Sequence, residues 1–321
     1  MNHRQKPKQE YRQIPELIGS SASFQEVLRV TGLIAKLNVP VLILGETGSG
    51  KHSIAKHLHA QSNRSNFVNV NCTAIPKESC EGLLFSLNNT LALEKNGYVF
   101  QAHKGTLYLQ DVSSLTLEAQ AQLLYLIDND NVLSAQTLKQ QKLDVRVIAS
   151  SDKDLRKLVA EGKFSADLFY RLGSIPVELP QLADREDDLL LLMDHFFRGL
   201  VEKHLRSAPV FTNAAKEKLR DYNWPGNIQE LRNFCERMFL LFHSQQIDVT
   251  NLPAEIQHHN RKSSNSIFTL PESGVQLDNI EVDLMQQALR SSGGNKSKAA
   301  RLLGLTRDTL LYRLKKYSIN S

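Results

Sequence analysis

The sequence lacks most of what marks secreted, disulfide-built or membrane-embedded chains. It has three cysteines, Cys72, Cys80 and Cys235. The count is odd, no two are spaced as Cys-x-x-Cys, and no histidine pair lies near one. A disulfide framework and a zinc knuckle are therefore both unexpected, and a reducing cytoplasm fits. The first 25 residues are polar and hold no apolar stretch of the signal-peptide kind, and no apolar run approaches 18 residues. Neither export nor a membrane span is expected. The adjacent His258 and His259 have no third ligand near them in sequence, so no metal site is expected. Trp224 is the single tryptophan, read as a core anchor. No internal repeat is visible.

What is present is an ordinary globular composition, 41% hydrophobic and 23% charged over 321 residues, a length that favours two folding units over one. The net charge of +5 is unevenly spread. Residues 277–321 carry eight basic and four acidic side chains, and residues 1–13 carry Arg4, Lys6, Lys8 and Arg12 against Glu10. The body between them is slightly acidic. A basic excess confined to the two ends points to a polyanionic partner.

Short β-type runs at 39–44, 67–71, 106–109, 144–150 and 175–179 alternate with helical patterns at 24–37, 51–59 and 117–127. Strands alternating with helices imply a parallel sheet covered on both faces. After Pro180 the pattern is helical only, at 189–205, 214–221 and 227–242. The last has Ile228, Leu231, Phe234, Cys235, Met238 and Leu241 on one stripe. Residues 258–276 are rich in Ser and Asn without sustained periodicity and read as a linker.

Residues 45–52 read GETGSGKH, a Gly-x4-Gly-Lys pattern between an apolar strand and a helix. That context is what a phosphate-binding loop requires. Gly45, Gly48 and Gly50 let the backbone amides of Glu46, Thr47 and Ser49 turn toward one point, the next helix adds its N-terminal dipole, and Lys51 supplies charge to β- and γ-phosphates. His52 stands where the general motif has Ser or Thr for Mg²⁺. ATP or ADP is the expected ligand.

The last 45 residues read as three helices, 279–291 with Ile280, Leu284, Ala288 and Leu289 inward, 296–303, and 307–317. Gly293-Gly294 ends the first, Asn295 caps the second, and Gly304-Leu305-Thr306 joins the second to the third. A short Gly-containing turn of this kind is the helix-turn-helix connection. Arg307, Asp308 and Thr309 at the start of the third helix are placed for base edges. Lys296, Lys298 and Arg301 are placed for phosphates, and Arg313, Lys315 and Lys316 stand exposed along the third helix. Double-stranded DNA is the expected partner, bound at a palindromic operator by at least a dimer.

The stretches ELIGSS, GETGSGK, FVNVNC, GTLYLQD, LDVRVIASSD, GKFSADLFYRL, YNWPGNIQELRN and NKSKAARLLGLTRDTLLYRLKKY occur in this order. Through them residues 14–321 resemble the sigma-54-dependent enhancer-binding family of bacterial transcription activators, and the family's usual sensory domain is not expected. The resemblance implies an α/β AAA+ P-loop parallel sheet at 14–182 and a helical lid at 183–257. A linker at 258–276 and an all-α Fis-type helix-turn-helix domain at 277–321 follow, with a disordered basic arm at 1–13 leading. It implies ATP hydrolysis in an oligomer that remodels RNA polymerase.

Several positions depart from the family pattern. No GAFTGA loop occurs between Phe85 and Gly105. The Walker B Asp-Glu is Gln110-Asp111, and a neutral amide cannot balance Mg²⁺ charge. Of two arginine fingers, one position is Ser165 and the other keeps Arg171. Gln229 replaces the lid arginine, and Ser151-Asp152 replaces the sensor Thr-Asn. The departures argue against Mg²⁺ and hydrolysis. The expectation is a cytoplasmic DNA-binding regulator, independent of sigma-54, with RNA polymerase as a candidate partner. The alternative is an active sigma-54-dependent ATPase activator.

Overall fold

The computed structural model describes residues 16–85, 97–129, 131–133, 140–259 and 274–317. It divides into two units, Met1–His259 and Asn260–Ser321. In the first, helix α1 (Ala22–Ile34) leads into strand β1 (Val41–Leu44) and helix α2 (Lys51–Ala60). Then come β2 (Phe67–Asn71), α3 (Cys80–Phe85), α4 (Tyr98–Gln101), β3 (Gly105–Gln110) and α5 (Leu117–Asn129). A two-stranded pairing of β4 (Asn131–Leu133) with β5 (Gln140–Lys142) is antiparallel. It precedes β6 (Val145–Ser151), α6 (Leu155–Ala160), α7 (Ala166–Leu172) and β7 (Pro176–Glu178).

The five expected strands form one parallel sheet in the order β2-β3-β6-β1-β7. Its central strands β1, β3 and β6 are buried along almost their whole length, as a sheet covered on both faces requires. One face packs Leu42, Leu107, Leu109, Val147 and Ala149 against α3, α5 and α7. The other packs Val41, Ile43, Tyr108 and Ile148 against α1 and α2. Arg146 of β6 is buried in this layer and donates to the carbonyl oxygens of Ile34, at 2.9 Å, and Ala35. It offsets the negative end of α1, while burial pushes its pKa down to about 10.

The lid consists of α8 (Glu186–His204), β8 (Val210–Phe211), α9 (Asn213–Asp221), α10 (Asn227–Phe242), β9 (Gln246–Ile247) and α11 (Ala254–Gln257). Trp224 is its anchor, buried, with Nε1 donating to the Leu219 carbonyl at 2.9 Å. Helix α10 buries Leu231, Phe234, Cys235, Met238 and Phe239, but Leu241 is 62% exposed, and its neighbour Phe242 packs on the lid core instead.

The second unit holds α12 (Leu277–Ser291), α13 (Lys296–Leu302) and α14 (Arg307–Lys316) around Met285, Ala288, Leu289, Ala299, Ala300, Leu310 and Leu314. Leu284, expected inward, faces out because Met285, Ala288 and Leu289 share the inner face at i, i+3 and i+4. Leu33 and Leu37, apolar positions of the helical pattern at 24–37, lie on the outer side of α1 and past its end. Among the described residues, no helix is long and apolar enough to cross a membrane.

Candidate functional site

The phosphate loop follows β1 and closes at Gly50, the residue before α2. Gly48 (φ +78°) and Gly50 (φ +103°) adopt the left-handed backbone that glycine permits. Lys51 is half-buried. Its Nζ donates to the carbonyl oxygens of Gly45 at 2.7 Å and Glu46 at 2.9 Å. Burial pulls its pKa down, opposed by the carboxylates of Asp152, Asp111 and Glu46. Ser49 is buried, with its hydroxyl donated to the Glu46 carbonyl.

The lid is docked on this loop. The Ile228 and Gln229 amides at the start of α10 donate to the Gly48 carbonyl at 3.0 and 3.3 Å. Asn227 Nδ2 donates to the Thr47 carbonyl and to Glu46 Oε2, both at 3.1 Å, and its Oδ1 accepts from the Leu182 amide. Gln181 Nε2 donates to Glu46 Oε1 at 2.6 Å. A Cβ at Gly48 would overlap the Gly226 carbonyl oxygen, so the close approach needs glycine. Sequence reasoning placed Asn227 in a lid motif but missed it, and Gln181, as partners of the loop.

A buried Arg185–Asp188 pair at the start of α8 ties the lid to the segment before α1. Asp188 accepts from Arg185 Nε at 2.8 Å, Ser21 Oγ at 2.6 Å and the Ser21 amide at 2.9 Å, and from the Ser20 amide. Arg185 also donates to the Ile18 carbonyl and lies over the Phe24 ring. The carboxyls of REDD gave no sequence sign of this role.

At the expected metal corner, Gln110 Nε2 donates to His52 Nδ1 at 3.1 Å and to Asn69 Oδ1 at 2.9 Å. The His52 ring packs near Phe67 and Tyr108, and burial pulls its pKa down. Asp111 follows in the left-handed region (φ +54°), its pKa raised by burial and then by Asp152. Asp152 in turn accepts from Thr47 Oγ1 at 3.0 Å. The loop suits a nucleotide: glycines where Cβ atoms would collide, a lysine, and the N-terminus of a ten-residue helix. The metal positions do not suit Mg²⁺. This hard cation wants anionic or water oxygens, whereas an amide nitrogen and an imidazole are bonded to each other there.

The remaining predicted positions lie elsewhere. Arg171 pairs with Asp128 of α5 at 2.7 Å, beside a cleft of about 450 Å³ lined also by Leu124, Asp167, Tyr170 and Ser174. Ser165 caps α7, its Oγ accepting from the Leu168 amide. Gln229 is exposed, its side chain directed to Asn233. The stretch searched for a GAFTGA loop falls largely on 86–96, outside the described residues.

In the second unit, Asn295 accepts from the Ser297 and Lys298 amides, and Thr306 accepts from the Thr309 amide. Arg307, Asp308, Lys298, Arg301 and Lys315 are exposed, and Lys296 is half-buried. The Thr309 hydroxyl is 2.7 Å from Thr306 Oγ1. Arg313, expected to stand exposed, is ion-paired with Glu281 of α12. Lys316 donates to the Tyr317 hydroxyl, which is 2.7 Å from both Asp278 and Glu281. Acidic groups of α12 thus engage this end of α14.

Residues 17–178 match the family described as the sigma-54 interaction domain, 183–267 the AAA+ ATPase lid domain, and 276–317 the bacterial regulatory protein, Fis family. The chain is 36% identical to the transcriptional regulatory protein ZraR of Salmonella typhi over 304 residues, covering 93% of this chain and 68% of that one. This chain belongs to the family of bacterial transcriptional regulators built on a sigma-54 interaction domain. A further member, the phenol regulator MopR of Acinetobacter guillouiae, is 35% identical over 94% of this chain and 56% of its own. The chain therefore spans between about half and two thirds of these relatives. Among solved structures, NtrX from Brucella abortus in complex with ADP superposes with a TM-score of 0.69. It is 32% identical and covers 94% of this chain and 68% of its own. The ATP complex of NtrX gives 0.69 at 30% identity, over 94% and 69%. The family has a P-loop α/β sheet, a helical lid and a Fis-type helix-turn-helix, and all three parts are present here.

Proposed function

We propose that this family member is a sequence-specific DNA-binding transcription regulator whose AAA+ domain binds ATP or ADP without hydrolysing it, and which acts independently of sigma-54. The carrying observation is the His52–Gln110 hydrogen bond, which occupies with neutral nitrogen groups the two positions that would hold Mg²⁺. Gly45–Lys51 hold the phosphates, and NtrX, solved with ADP and with ATP, supports a nucleotide here.

With metal charge absent, Asp111 has no Mg²⁺-bound phosphate against which to orient water, and Ser165 supplies no transition-state charge. In the second unit, Arg307 with Asp308 and Thr309 meets base edges, while Lys296, Lys298, Arg301, Lys315 and Lys316 meet phosphates. A dimer then spans two half-sites about one helical turn apart on a palindromic operator. RNA polymerase is the proposed downstream partner.

The test has two arms. Phosphate release from ATP by the purified chain should not exceed that of Lys51→Ala. Reporter regulation should persist in cells without sigma-54. Hydrolysis abolished by Lys51→Ala, together with regulation that needs sigma-54, would instead establish an ATPase activator, the reading that the retained Lys51 and Arg171 favour.

A further inference from the structure

We infer that the phosphate loop is a metal-independent receptor selective for a nucleoside diphosphate, with Asp111 and Asp152 set against a third phosphate. This rests on the proposed nucleotide binding and adds to it the ligand's phosphate number and its independence of Mg²⁺.

Three observations converge. First, the elements that grip phosphates by backbone and lysine are intact: Gly48 and Gly50 in left-handed geometry, Lys51 at the start of α2, and the α2 N-terminus. None of these needs a metal. Second, Gln110 Nε2 bridges His52 and Asn69 at the metal corner. The Nδ1 lone pair of His52 is taken by the Gln110 amide, and a donor amide repels a cation. Third, the carboxylates facing Lys51 remain. Asp152 is held beside the loop by Thr47 Oγ1 at 3.0 Å, and Asp111 is fixed by a left-handed backbone. Both act on the Lys51 charge, with Lys153 acting on Asp111 as well.

In a P-loop, the lysine serves the β- and γ-phosphates, and Mg²⁺ bridging them offsets their charge. Here Gln110 and His52 bring no charge to the metal corner, and the carboxylates of Asp152, Asp111 and Glu46 all act on Lys51. Each added phosphate charge is repelled by them at the short range where screening is weak. A diphosphate satisfies the loop amides and Lys51 at lower net charge. Asp at position 111 also suits its backbone, since Asp and Asn tolerate left-handed geometry better than other non-glycine residues. Asn is therefore the substitution that removes the charge without straining the turn.

Isothermal titration calorimetry of the whole chain tests this, with ADP and ATP each titrated in EDTA and in millimolar magnesium chloride. ADP affinity should agree within about twofold between the two buffers, and ATP should bind about tenfold or more weakly than ADP in EDTA. Asp111→Asn combined with Asp152→Asn should narrow that gap to about threefold or less, because ATP affinity rises more than ADP affinity when both charges are removed. His52→Thr with Gln110→Asp should make ATP affinity rise on adding magnesium. ADP binding that collapses in EDTA, or ATP binding as tightly as ADP, overturns the inference and leaves nucleotide binding standing. Heat absent for both nucleotides, from a chain that still unfolds cooperatively and shifts its DNA, refutes nucleotide binding itself and the inference with it.

Discussion

Gln110 and His52 are 58 positions apart in the chain and 3.1 Å apart in the fold. The first ends β3 and the second lies in the first turn of α2, so each change makes sense in the light of the other. An amide beside a hydroxyl would leave a metal corner half-built, whereas an amide donating to an imidazole closes it.

Restoring that corner should restore metal chemistry. His52→Thr with Gln110→Asp is expected to create Mg²⁺-dependent phosphate release above the background of Lys51→Ala, while the single changes stay at background. A colorimetric phosphate assay reads this. Release by the unaltered chain that Lys51→Ala removes would count against the whole account of the site.

Gly48→Ala should uncouple the lid from the loop. The added Cβ meets the Gly226 carbonyl, and the backbone there is left-handed. Strain and the lost Ile228 and Gln229 hydrogen bonds should cost about 2–4 kcal/mol, read by urea unfolding, with nucleotide binding lost. Gly162→Ala is also at positive φ but has open space around it. It should show the smaller cost of backbone strain alone and keep nucleotide binding.

Asp188 predicts a pH signature. Burial raises its pKa, but the hydrogen bonds from Ser21 and Arg185 and the Ser20 and Ser21 amides outweigh this and hold it below the usual carboxylate value. A depressed folded-state pKa means that its stabilisation is complete above the unfolded value, about 3.9, and is lost as pH falls through the lower folded value. Asp188→Asn should therefore cost about 3–5 kcal/mol at pH 7 because Arg185 is left buried without its partner. It should also flatten the acid limb below about pH 4. An acid limb as steep as that of the unaltered chain would show that other carboxyls carry it.

The basic residues of α14 should divide into three behaviours. Arg307→Ala should relax sequence choice at one position, costing about 1–3 kcal/mol on the preferred site. Lys315→Ala should weaken binding to all sequences alike and lower the salt slope by about one. Arg313→Ala should instead lower the melting temperature of the second unit, since this guanidinium is paired with Glu281. Gel-shift titrations across a salt series, with circular dichroism melts, separate the three.

Much of this was legible because it is local. An apolar run followed by Gly-x4-Gly-Lys specifies a strand, a loop and a helix start within a dozen residues. Asn295, Gly304 and Thr306 mark the helix ends of the DNA-reading unit by the chemistry of their own side chains. The face of α12 was harder to phase. Leu284 and Met285 are both apolar neighbours, and only packing against Ala299 and Leu310 decides which is inside. Ser165 reads in sequence as a missing arginine, but in the fold it is the cap of α7.

The alternating strands and helices, the phosphate loop and the helix-turn-helix are written in the chain itself, because periodicity, glycine placement and capping act between near neighbours; the lid and the substituted positions were legible only through the family resemblance. Tertiary structure decided what those substitutions mean. The parallel order β2-β3-β6-β1-β7 carries the end of β3 to the first turn of α2 and the Thr47 loop to Asp152. It also lets α10 cover Gly48. Such contacts depend on how crossovers stack strands far apart in the chain, and on the exclusion of water from the layer between them, so no local pattern encodes them.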